Sequence, residues 1–175
     1  IAIVHAESGV TRDRLMREVL WGEERFELVD TGGVCNIDGS STPDVIEAGI
    51  RRQVDVALGD ATMAIFVVDI QSGVHPMDLE VAGILRASGC PTVVAANKAD
   101  GPSHDVGVAD FQQLGFPVFP VSALQNRGFD ALMVPVVKAL PEAENLTVAD
   151  PVRVAIVGRP NVGKSSYVNR LLRND

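Results

Sequence analysis

Residues Gly158-Arg159-Pro160-Asn161-Val162-Gly163-Lys164-Ser165 match the pattern G-x-x-x-x-G-K-[ST] at every fixed position. The pattern constrains the fold because it needs a strand in front of it and a helix behind it. Both are legible here: Val152 to Val157 is a β-branched run suited to a buried parallel strand, and Ser166 to Arg173 reads as a helix. In that setting the backbone N–H groups of the loop and of the helix N-terminus surround a polyphosphate. Lys164 adds a point charge at the outer phosphates, and the Ser165 hydroxyl ligates magnesium. Asn161, Val162, Gly163, Lys164, Ser165 and Ser166 are therefore the first candidate binding residues. The loop stands near the C-terminal end of the sequence, so everything before it is read as its partner.

A length of 175 residues, 46% hydrophobic and 22% charged, suits one domain with a real core and excludes disordered and fibrous classes. A net charge of −8 argues against a strong non-specific nucleic-acid footprint. The longest apolar run, Met63 to Val68, is far short of the roughly 20 residues of a membrane span, and no signal peptide is visible. The expectation is a soluble, cytoplasmic protein. Cys35 and Cys90 have neither zinc-ligand spacing nor the density of a disulfide scaffold, and read as reduced thiols. A chain that begins at Ile1 rather than Met reads as incomplete or re-cut.

Taken in order, Ile1 to Val4 is a short apolar run and His5 to Asp13 an exposed polar loop. Leu15 to Trp21 and Arg25 to Val29 form a predicted hairpin around Gly22-Glu23-Glu24, and the second strand runs into Asp30-Thr31-Gly32-Gly33. Alone, Asp-x-x-Gly is turn chemistry. Val34 to Thr42 reads as a loop, and Pro43 opens a helix to about Leu58 with Ile46, Ile50, Val54 and Leu58 on one stripe. Met63 to Val68 is a buried strand with Asp69 as a cap at its end. A helix follows from about Met77 to Ala87, then a strand from Pro91 to Ala96. Further predicted elements are a helix from Asp105 to Leu114, a strand from Val118 to Val121 broken by Pro120, and a helix from Gly128 to Leu140 containing Pro135. Pro141 to Pro151 is proline-bounded and acidic, and reads as a linker. His5, His75 and His104 lack metal-ligand spacing, while Trp21 and Tyr167 read as packing or surface residues.

Strands alternating with helices, each strand nearly all apolar, indicate a largely parallel sheet covered on both faces. Ligands bind outside the carboxyl ends of such strands. Asp30, Asn97, Ser122 and Gly158 each fall just past a predicted strand, so four separated motifs converge on one edge. Among them, Asn97-Lys98-Ala99-Asp100 suits guanine: the Asp100 carboxylate can accept from N1–H and the exocyclic amine together, a pair adenine does not offer. Asn97 ties this loop to the phosphate loop, and the Lys98 stem covers a face of the base. Ser122, Ala123 and Leu124 complete the base side, with the Ala123 N–H serving the guanine carbonyl.

On these motifs the chain resembles GTPases of the translation-factor-related class, and more narrowly the double Era-like GTPases called EngA or Der, which carry two tandem G domains. Gly9-Val10-Thr11-Arg12-Asp13 looks like switch I of the first G domain, Asp30-Thr31-Gly32-Gly33 like its switch II, and Asn97 to Asp100 with Ser122-Ala123 like its base motifs. Residues 152 to 173 look like the opening of the second G domain. The first domain lacks its own phosphate loop, and the second lacks every motif beyond its phosphate loop. The resemblance implies that Thr11 ligates magnesium and the γ-phosphate, that Asp30 holds magnesium through water, and that the Gly33 N–H reaches the γ-phosphate. Lys164, Thr11 and Gly33 are the implied catalytic residues. Val34 stands where Ras-like proteins place a water-orienting glutamine, so hydrolysis is expected to be slow. Asn161 matches the asparagine that holds a potassium ion in potassium-activated relatives.

The expected architecture is a P-loop NTPase-type α/β three-layer sandwich, with a mostly parallel sheet and one antiparallel edge hairpin. Its motif order is circularly permuted: residues 1–140 form the body of a G domain, 141–151 the linker, and 152–175 the strand, loop and helix that complete it. A natural fragment is the other origin of such an order. The 11 residues from Pro141 to Pro151 can extend roughly 36 Å, against a radius of gyration of about 16 Å for a globule of this length. Closure within one chain, giving a monomer, and exchange between two chains are both within reach. The favoured function is a GTP-hydrolysing switch of a ribosome-assembly protein, touching the large subunit through the full-length protein, with GTP or GDP, magnesium and potassium as cofactors. Its rivals are a guanine-nucleotide module with negligible turnover and a non-binding fragment whose loop belongs to an absent domain.

Overall fold

The computed structural model describes residues 15–30, 58–59, 61–140, 153–159 and 161–172. The expectations placed on residues 1–14, on Thr31 to Ala57 (with Gly33, Val34 and Cys35), on the linker 141–151 and on Pro160 lie outside the described residues, as does Thr11.

Six strands form one sheet in the order β1-β2-β6-β3-β4-β5. The edge hairpin is β1 (Leu15–Trp21) and β2 (Glu24–Asp30), antiparallel around the two-residue turn Gly22-Glu23. Pairing extends to Glu24 opposite Trp21, so the turn is one residue tighter than the sequence suggests. All other pairings are parallel: β3 (Met63–Asp69), β4 (Thr92–Asn97), β5 (Val118–Pro120) and β6 (Arg153–Val157). The strand that arrives last, β6, lies between β2 and β3 and pairs with both.

Helices cover the two faces. α1 (Pro76–Ser88) lies on one, with Val81, Ala82 and Leu85 against Ala64, Phe66, Val68, Val94, Ala96, Ala155 and Val157. α3 (Phe129–Ala139) and α4 (Lys164–Leu172) lie on the other, with Leu132, Met133, Val136, Val168 and Leu171 against Leu28, Ile65, Val67, Val93, Val154 and Ile156. The period-2 alternation of a strand sends Ile65 to one layer and Phe66 to the other. All seven residues of β3 are buried, as a central parallel strand requires. Each large apolar side chain held there contributes about 1.5–3 kcal/mol of burial free energy.

The helix expected over 105–114 is broken up. A 3₁₀ segment runs over Pro102–Gly107, a single α-turn follows as α2 (Val108–Phe111), and Gln112–Leu114 is again 3₁₀. Gly107 weakens any continuous helix, and Asp105 is drawn away to Arg127. Phe111 and Leu114 still reach the core. α1 begins with a capping box in which His75 Nδ1 accepts from the Met77 N–H and Asp78 accepts from the His75 N–H. Among the described residues no helix is long and apolar enough to cross a membrane.

Candidate functional site

Parallel strands bring their carboxyl ends to one edge, and register fixes what meets there. Asp30 pairs with Ile156, two residues before Gly158, and Asp69 pairs with Asn97. The phosphate-loop motif leaves β6 at Gly158, whose φ of 149° belongs to glycine, and a Cβ there would sit 2.3 Å from the Val67 carbonyl oxygen. Gly163, at φ 93°, would place a Cβ 2.4 Å from Asn97 Nδ2. Asn161 takes the left-handed region at φ 65°, which asparagine tolerates.

α4 starts at Lys164 rather than Ser166, so the motif residues Lys164 and Ser165 are its first turn, with their backbone N–H groups at the positive end of the helix dipole. Lys164 is only 7% exposed, and its Nζ donates to the carbonyls of Gly158 at 2.7 Å and Arg159 at 2.8 Å. Burial pushes its pKa down, while the charge of Asp30 acts against that shift. The Ser165 hydroxyl donates to Asp30 Oδ2 over 3.4 Å. A hydroxyl and a carboxylate are the hard oxygen donors that magnesium takes alongside water and phosphate. No group of three His, Cys, Asp or Glu is assembled for a metal among the described residues. These two side chains therefore fit the ion only in company with a phosphate.

The base-side residues meet the loop through Asn97, 3% exposed at the end of β4. Its Nδ2 donates to the Val162 carbonyl at 2.9 Å, and its Oδ1 accepts from the Ala123 N–H at 3.1 Å. One carboxamide thus joins three motifs far apart in sequence. Lys98 stands at φ 69°, with its ammonium 2.7 Å from Asp69 Oδ2. Asp100 accepts from the Ser122 hydroxyl at 2.6 Å. Arg127 donates to the Ala99 carbonyl and forks onto Asp105, which raises the guanidinium's pKa and holds the Asp105 carboxyl low. A cavity of about 430 Å³ opens between Ala123, Leu124 and Asn126 on this side and Ser166, Asn169 and Arg170 on α4. Leu124 is 86% exposed at its rim.

The structure thus brings Asp30, Asn97, Lys98, Asp100, Ser122 to Leu124 and Asn161 to Ser166 to one edge. Sequence reasoning missed the supporting side chains. Arg159, a variable position of the motif, pairs with the buried Asp78 of the α1 capping box at 3.2 Å and donates to Ser72 Oγ at 2.5 Å. Burial raises the Asp78 pKa despite that partner. Asp69 does cap the turn after β3, accepting from the Gln71 N–H at 3.0 Å, but it also holds Lys98. A carboxylate two residues before a glutamine carries no signature, so only the fold could reveal these contacts.

The family described as 50S ribosome-binding GTPase matches residues 1–98 and 153–175. The chain belongs to that family. It is similar to GTPase Der of Gemmatimonas aurantiaca, 46% identical over 175 residues, and to GTPase Der of Christiangramia forsetii, 41% identical over 175 residues. Each alignment covers 99% of this chain and 39% of the relative, so the chain spans about two-fifths of the length of these curated relatives. Among solved structures, the crystal structure of a probable GTP-binding protein engB is similar in fold, with a TM-score of 0.53 at 19% identity. That match covers 75% of this chain and 85% of the other. The mostly parallel, helix-covered sheet of this chain is the architecture expected from the strand and helix pattern.

Proposed function

We propose that this chain forms a GTP-binding and GTP-hydrolysing switch domain. The observation that supports the reading best is the Asn97 carboxamide, which ties the phosphate loop at Val162 to the base side at Ala123. Asn161 to Ser166 hold the phosphates. Asn97, Lys98 and Asp100 with Ser122, Ala123 and Leu124 hold guanine. Lys164 neutralises charge at the outer phosphates, and Thr11 and Gly33 act on the γ-phosphate. Magnesium, held by Ser165, Asp30 and Thr11, supplies further neutralisation of the phosphates, and Asn161 holds a potassium ion.

In this reading residues 152–175 complete the G domain formed by residues 1–140, with 141–151 as the tether, and the chain is a cytoplasmic monomer. The large ribosomal subunit is the partner of the full-length protein, with little direct nucleic-acid binding by this piece. Val34 favours a second reading, a guanine-nucleotide module with negligible turnover, because an apolar side chain cannot orient water.

Two measurements test the proposal. GDP with magnesium at 100 times its dissociation constant should stabilise the fold by about 2.7 kcal/mol. Single-turnover phosphate release from GTP should be faster in potassium than in sodium, and Asn161→Ala should remove the difference. Stabilisation without release selects the second reading, and no stabilisation removes both.

A further inference from the structure

Gln71 lies in the turn after β3 and belongs to none of the motifs above, yet its side chain reaches the centre of the base loop. Its Nε2 donates to the Lys98 carbonyl at 2.9 Å and to Asp100 Oδ2 at 3.1 Å. The other oxygen of that carboxylate, Oδ1, accepts from the Ser122 hydroxyl. Each Asp100 oxygen is therefore held by one protein donor, and each keeps a lone pair for a base. A carboxylate held at one oxygen can still rotate about its Cβ–Cγ bond; held at both, its plane is fixed.

The turn that carries Gln71 is itself anchored to the loop it supports. Asp69 accepts from the Gln71 N–H with Oδ1, while its Oδ2 takes the Lys98 ammonium. Lys98 sits in a left-handed backbone conformation that a lysine rarely adopts. Its carbonyl is held by Gln71 and its ammonium by Asp69, so this turn restrains the loop at its least favoured backbone position as well as at its specificity-bearing carboxylate.

We propose that Gln71 is a positioning residue that sets guanine selectivity, acting through the Asp100 carboxylate. The inference rests on the reading of Asp100 as the acceptor for guanine. A neutral donor suits the position: it orients the carboxylate without cancelling the charge that the N1–H and the exocyclic amine seek. An acceptor of the same shape in place of the amide would face both the Lys98 carbonyl and the Asp100 carboxylate.

The test measures binding of fluorescent GDP, IDP and XDP to the full chain. IDP lacks the exocyclic amine, so the ratio of GDP to IDP affinity reads the grip of Asp100 on that group. Gln71→Ala should weaken GDP about fivefold and bring the ratio closer to one, the size expected for losing one partly solvated hydrogen bond to a charged group. Gln71→Glu, nearly the same shape, should lose more than Gln71→Ala. Gln71 is exposed, so neither variant should shift the melting temperature by more than a few degrees. A GDP to IDP ratio unchanged in Gln71→Ala, or Gln71→Glu binding GDP as wild type does, overturns the proposal. Asp100→Asn separates it from the reading beneath: a switch of preference to XDP there, with Gln71→Ala unaffected, removes only the role of Gln71. No switch in Asp100→Asn removes both.

Discussion

The phosphate loop and the base loop lie side by side on one sheet edge and hold their shapes by different means. Each turns through a non-glycine residue at positive φ, Asn161 in one and Lys98 in the other. The phosphate loop is fixed sterically: Gly158 and Gly163 leave no room for a Cβ, and a buried lysine fills the ring from inside. The base loop is fixed by side-chain hydrogen bonds with Asp69, Gln71, Ser122 and Arg127, on two other segments of the chain. A loop shaped by exclusion tolerates almost nothing, whereas one shaped by several partly solvated polar contacts gives way by degrees.

Gly158→Ala should therefore be the most damaging single change. Its new methyl meets the backbone of β3 in the middle of the sheet, where nothing can move aside. A loss of roughly 3–5 kcal/mol in urea unfolding is expected. Wild-type stability would mean that the loop, not the sheet, absorbs the clash, and the contrast between the two loops would fall. Asn97→Ala cuts the link between them and strands the Val162 carbonyl and the Ala123 N–H. It should cost about 2–3 kcal/mol and weaken GDP binding at both ends of the nucleotide. Loss of guanine discrimination alone, with phosphate affinity kept, would show the loops to be independent.

Tyr167 offers a smaller test beneath both regions. Its N–H donates to the Gly163 carbonyl, and its ring lies 5.0 Å from that of Phe129, at the start of α3. The ring is fully buried, and its hydroxyl has no protein hydrogen-bond partner among the described residues. Tyr167→Phe should therefore raise stability by about 1 kcal/mol in chemical denaturation. A loss of stability would point to a hidden partner for the hydroxyl.

The smallest effect concerns protons and belongs to the phosphate loop alone. The pKa of Lys164 is lowered in the fold, so between the folded and unfolded values the unfolded chain binds more protons, and stability rises with pH across that window. The stability this group contributes is present above the unfolded pKa and lost as pH falls through the folded one. A phosphate beside the ammonium restores its charge. GDP binding at alkaline pH, between the folded and unfolded pKa values of Lys164, should therefore take up part of a proton, seen by calorimetry in buffers of different ionisation enthalpy, and Lys164→Met should abolish the uptake.

The same contrast explains which features the sequence made legible. The glycines, Lys164 and Ser165 announce the phosphate loop because each position is set by sterics or charge over eight consecutive residues. The buried strands announced themselves through unbroken apolar runs such as Met63 to Val68. Asn97 and Asp100 were readable only in company with the loop. Gln71, Arg127 and Arg159 were not, since each acts on residues 22 or more positions away through a few hydrogen bonds that leave no periodic or compositional trace. The break-up of the expected 105–114 helix has the same origin, in the pull of Arg127 on Asp105.

The place of β6 also sets the order in which the sheet can assemble. Among the described strands, β1 and β2 form one ladder and β3, β4 and β5 another, and only β6 bonds to both. A chain made from its N-terminus at about 5–20 residues per second can join these two ladders through β6 only once residue 157 has emerged. Among the described strands, β6 is thus the one that joins two separate ladders into a single sheet. Closing a loop of well over a hundred residues to reach β2 is expected to slow that joining. Until then the edges of β2 and β3 that β6 bonds in the folded chain are without that partner.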